Sequence, residues 1–62
     1  MLKVFYTVSY ETGNEYEPYD LIVLEALFDD DATTTEIKTE LQDIINDNFY
    51  SAHLIDWEVE KI

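Results

Sequence analysis

Glu36, Glu40, Asp43 and Asp47 recur at i, i+4, i+7 and i+11, a spacing that sets four carboxylates on one ridge if the segment is helical. Asp56, Glu58 and Glu60 recur at every second residue, which in a strand puts three carboxylates on one side, about 6 to 7 Å apart. Along a helix the acid-to-acid step is about 4.5 to 6 Å, from a rise of about 1.5 Å per residue. Rows of repeated negative charge offer one chemistry, the pairing of carboxylates with cations presented at a similar repeat. An ordinary solvated face is the competing account of each row, because single surface charges contribute little. The consecutive Asp29, Asp30 and Asp31 invite a metal reading, since hard cations take clustered oxygen ligands. An EF-hand, however, alternates its ligands about a mid-loop glycine, and three successive side chains diverge. We therefore read this run as a solvated turn able to meet a cationic partner, with no metal and no cofactor expected. Tyr16 and Tyr19 stand among Glu11, Glu15, Glu17 and Asp20. Tyrosine supplies large contact area at low entropic cost, which suits a docking loop; packing over the end of a sheet is the other reading.

Catalytic constellations are thin. His53 is the only histidine, and Ser9 and Ser51 are the only serines. A hydrolytic triad needs nucleophile, base and orienting acid in a sheltered pocket, which 62 residues with one helix leave little room to build. Carboxylates this abundant also make any acid–base pair uninformative. An enzyme is not expected. Direct nucleic-acid binding needs a basic stripe, whereas Lys3, Lys38 and Lys61 are scattered and arginine is absent.

The global balance points the same way as the rows. Fifteen acids face three lysines, for a formal net charge of −12 and a pI near 4.1. Holding that charge on a small body costs stability through self-repulsion, so a chain that keeps it is expected to use the field on something positive. Disorder is not the explanation, because 47% of residues are apolar and 15% aromatic. The length suits one domain of modest stability, and without cysteine no disulfide or thiolate zinc site can staple it. The N-terminus lacks the basic and apolar regions of a secretory signal, and no run approaches the ~20 apolar residues of a membrane span. A cytoplasmic location is expected, and an anionic membrane surface would repel the chain.

Four elements must position these residues. Leu2 to Tyr10 alternates, with Leu2, Val4, Tyr6, Val8 and Tyr10 on one face, and reads as a strand. Glu11 to Asp20, with Gly13, Asn14 and Pro18, reads as the reversing loop. Leu21 to Phe28 is apolar except for Glu25 and reads as a second strand, with helix as the alternative. Thr33 and Glu36 match a capping box, followed by the stripe Ile37, Leu41, Ile44 and Ile45, so a helix starts there and ends near Asn46 to Asn48. The tail alternates again, with Ile55, Trp57 and Val59 on one face and Leu54, Asp56, Glu58 and Glu60 on the other.

Strand, strand, helix, strand closes at this size as an α+β fold, ββαβ, with a three-stranded antiparallel sheet of order 2-1-3 and one helix on one face. In that arrangement Val4, Tyr6, Val8, Ile22, Leu24 and Ala26 meet the helix together with Ile55, Trp57 and Val59. Phe5, Leu21, Val23, Leu27 and Leu54 then form an uncovered apolar patch with an acidic margin, a candidate partner or homodimer surface.

By size, charge and the rows Glu36, Glu40, Asp43, Asp47 and Asp56, Glu58, Glu60, the chain resembles the small acidic proteins with which bacteriophages and mobile elements disarm host defence. That class includes anti-CRISPR proteins, anti-restriction proteins and uracil-DNA glycosylase inhibitors. The resemblance implies a stoichiometric inhibitor in the host cytoplasm that mimics DNA or RNA. Its partner would be a basic nucleic-acid-binding protein such as a nuclease or CRISPR effector, held without turnover or cofactor. The rival expectation is a small dimeric accessory or regulatory domain that uses the open apolar sheet face.

Overall fold

In the computed structural model, which describes residues 1–62, the chain runs β1 (Leu2–Glu11), β2 (Tyr19–Phe28), α1 (Thr34–Asn48) and β3 (His53–Lys61). The strands form one antiparallel sheet in the order β2-β1-β3, with the helix on one face, the expected ββαβ arrangement. β1 is central, paired with β2 on one side and with β3 on the other. Val4, Tyr6 and Val8 are buried beneath α1, while Lys3, Phe5, Thr7 and Ser9 belong to the opposite face.

The helix begins where its sequence can satisfy the free amides of the first turn. The Thr33 hydroxyl accepts the Glu36 amide at 3.2 Å, and the Glu36 carboxylate accepts the Thr33 amide at 3.3 Å, closing the capping box. Ile37, Leu41 and Ile45 from α1 complete a core of six buried residues with Val4, Tyr6 and Val8. Ile22, Leu24, Ala26 and Trp57 pack around this core but remain half-buried. At the other end Phe49 caps the helix, its amide donating to the Ile45 carbonyl, and its ring lies 5.9 Å from that of Tyr10.

Two sequence expectations are corrected. Regular alternation assigns Ile55 to the helix face and Leu54 to the open face, but the register shifts between Thr7 and Val8, with Thr7 opposite Asp56 and Val8 opposite Leu54. Ile55 is the extra residue of this bulge and is 58% exposed, whereas Leu54 packs on the core. One added residue reverses the facing of everything before it, so the count from Trp57 fails at the bulge. Val59 stays on the helix side by register with Val4 yet is half exposed, because β3 is an edge strand with a neighbour on one side only. The second correction is Tyr19, expected in the loop but found as the first residue of β2, opposite Glu11. The hairpin closes later in β1 and earlier in β2 because Thr12 donates its amide to the Pro18 carbonyl and its hydroxyl to the Glu17 carbonyl. Gly13, at φ +79°, supplies the left-handed turn.

The surface area of 4617 Å² exceeds the roughly 4,200 Å² typical of a 7.3 kDa globule. The excess follows from the shape, 43 × 18 × 14 Å, and from a sheet layered on one side only.

Candidate acidic interface

α1 fixes the direction of the helical ridge. With Ile37, Leu41 and Ile45 turned to the sheet, Glu36, Glu40, Asp43 and Asp47 all remain exposed on one flank of the helix. From Glu36 to Asp47 the ridge extends about 16 Å. The flank is the one facing the outer strand β2, because Glu36 and Glu40 line a groove of about 340 Å³ together with Leu27 and Phe28 at the end of that strand. Asp29 and Asp31 line the same groove, so the fold joins the aspartate run to the N-terminal half of the ridge. Met1, Phe28 and Ala32 add apolar surface to the groove lining. Such a combination suits a lysine or arginine side chain, whose stem lies on apolar surface while its head meets carboxylates. No group of three or more acids or imidazoles converges tightly enough to hold a metal ion.

The members are not equivalent. Glu36 is committed in part to the cap, also accepting the Thr33 hydroxyl at 2.9 Å. Asp30 meets the Met1 ammonium at 2.7 Å. The only other ion pair is Lys3 with Glu25 at 3.8 Å, so no acid of the helical ridge or the β3 row is neutralised within the molecule. Two unit charges about 6 Å apart repel by about 0.7 kcal/mol in bulk water, and by less in salt. Each row therefore carries a small repulsion that a cationic surface can relieve.

Asp56, Glu58 and Glu60 lie elsewhere. Their register partners Thr7, Phe5 and Lys3 belong to the face away from α1, so this row stands on the open side of the sheet. The structure thus unites Asp29, Asp31, Glu36 and Glu40 but sets the two expected rows in different layers. Asp56 also accepts the Trp57 amide at 2.8 Å, while Glu58 and Glu60 are exposed with no such partner.

Tyr16 is 92% exposed at the tip of the 12–18 loop, which rules out packing over the sheet end. Its amide donates to the Asn14 side chain at 2.9 Å, and the Asn14 amide donates to the Thr12 hydroxyl at 3.0 Å, so the loop is folded by its own side chains. Tyr19 is 57% exposed on β2. Sequence reasoning passed over Tyr50, which is 86% exposed in the turn before β3. That turn lies at the same end as the hairpin loop, since His53 pairs with Ser9. The available signal was an aromatic between the helix-ending Asn48 and the turn residue Ser51. Ser51 adopts φ +52°, the left-handed conformation the reversal needs. Comparison with family models, curated proteins and solved structures finds no match.

Proposed function

We propose that this chain is a nucleic-acid mimic, a stoichiometric inhibitor that occupies the basic groove of a nucleic-acid enzyme of host defence, a CRISPR effector before a restriction or repair enzyme. The observation that carries this reading is the unpaired helical ridge, continuous with Asp29 and Asp31 at the groove. The charge density agrees with it: −12 over a 43 Å axis is one charge per about 3.6 Å, close to the 3.4 Å of axis per phosphate in one strand of duplex DNA. The mechanism is competition. Glu40, Asp43 and Asp47 pair with the groove's lysines and arginines, the groove by Asp29 and Asp31 receives one such side chain, and the net field speeds encounter. Tyr16 and Tyr50, at the far end, add aromatic contacts that slow departure.

The test is capture from a bacterial lysate at low salt, followed by displacement of labelled nucleic acid from the enzyme recovered. Glu40→Lys with Asp43→Lys should abolish displacement while the thermal midpoint holds or rises, because like charges at i and i+4 cost a few tenths of a kcal/mol. Undiminished displacement by this variant would remove the ridge as the binding edge. A second reading, a small dimeric accessory or regulatory domain, has one observation in its favour: Leu21, Val23 and Leu27 are more than half exposed on the open sheet face. A chain that sediments as a dimer and recovers no nucleic-acid enzyme favours that reading.

A further inference from the structure

The sheet face turned away from α1 has an ordered lateral division. β2 supplies Leu21, Val23 and Leu27, which are 61%, 63% and 56% exposed, and β1 adds Phe5. β3 supplies Asp56, Glu58 and Glu60 along the other margin. Between them runs a shallow groove of about 250 Å³ whose lining includes Phe5, Thr7, Val23, Asp56 and Glu58. The face is therefore mainly apolar along one side, where Glu25 alone interrupts the β2 row opposite Phe5, and anionic along the other. Lys3, its one lysine, does not balance the β3 row. Its ammonium lies 3.8 Å from Glu25 and 5.6 Å from the Phe5 ring centroid.

We propose that this face docks a basic amphipathic helix of a partner protein. The helix sets its apolar stripe on Phe5, Val23 and Leu27 and its lysine or arginine flank over Asp56, Glu58 and Glu60. Three features select this occupant. Outer strands of a three-stranded sheet lie about 10 Å apart, the diameter of one helix with its side chains, so the face seats a single helix as its opposite face seats α1. The margin of three unpaired carboxylates calls for cations at a regular repeat, which a helix flank provides at about 5 to 6 Å. A second copy is disfavoured because it brings a further −12 and the same acidic margin to the contact. The surface lies across the sheet from the helical ridge, so this inference does not rest on the mimic reading.

The probe is a synthetic amphipathic helix of leucine and lysine, about 18 residues and thus about 27 Å long, matched to the strands. Its control has the same composition with the leucines spread around all sides. With the methyl groups of the intact chain observed by NMR, the amphipathic peptide should shift Leu21, Val23 and Leu27 and leave the buried Leu41 and Ile45 unmoved. Val23→Gln with Leu27→Gln, and separately Asp56→Lys with Glu58→Lys, should each weaken binding about tenfold, with circular dichroism unchanged because all four side chains are exposed. Equal binding of the control peptide overturns the proposal, as do shifts confined to the ridge or wild-type affinity in both variants. A dimer of the chain itself that Leu27→Gln dissolves also overturns it, by assigning the face to a second copy.

Discussion

Glu36 serves two masters: its carboxylate closes the capping box on Thr33 and also heads the acidic ridge and lines the groove. The roles separate chemically. Thr33→Ala should lower stability by about 1 kcal/mol through loss of the cap, leaving affinity for a cationic partner intact when both are compared fully folded. Glu36→Gln keeps an acceptor in the box, because glutamine serves there, and should instead weaken partner binding with a melting temperature close to that of the parent. Tyr6 gives a pH signature. Burial raises its phenol above the ordinary 10.0. Below pH 10 the phenol is neutral in both folded and unfolded chains and stability is unaffected by it. Above that value the unfolded chain ionises first, so stability falls as pH rises toward the folded pKa. Denaturant titrations at alkaline pH should show this decline, and Tyr6→Phe should make it shallower. The acids at the groove were legible from spacing alone, but the join between Asp29, Asp31 and Glu36 was not, because it depends on the chain turning at Asp29–Ala32 to bring helix and strand end together.

At the scale of elements, the bulge in β3 decides which residue supports the core. Leu54→Asp should destabilise by more than about 2 kcal/mol by placing a charge against Val8 and the helix, whereas Ile55→Asp should stay within about 0.5 kcal/mol. Deleting Ile55 should leave a folded chain, since it makes the ladder continuous while keeping both Thr7–Asp56 and Val8–Leu54 opposed. Chemical denaturation of the three variants checks these outcomes together; an Ile55→Asp loss as large as that of Leu54→Asp would place the bulge elsewhere. The short apolar run 21–28 favoured a strand, with helix as the alternative, until its pairing with β1 decided it. The other three elements and the order were readable in the sequence because β1 alternates strictly, the capping box marks the helix start and the tail alternates again. The bulge was not, for Leu54 and Ile55 are adjacent apolar residues and either one satisfies a period of two. Pairing with β1, a non-local interaction, chooses between them.

For the molecule as a whole, one quantity sets both stability and affinity: a net charge of −12 on a slender body with six buried residues. Screening acts on the two in opposite directions. Within the chain, added salt weakens repulsion among acids that have no internal cation, so the midpoint of thermal unfolding should rise between low salt and 0.5 M sodium chloride. Between the chain and a cationic groove, the same salt removes attraction. The most direct test of the central claim is therefore competition between this chain and labelled nucleic acid for the enzyme it captures, followed across ionic strength. Mimicry predicts that each bound chain displaces nucleic acid in proportion and that its affinity falls steeply as salt rises. An affinity indifferent to salt, with nucleic acid still held in the complex, would contradict it.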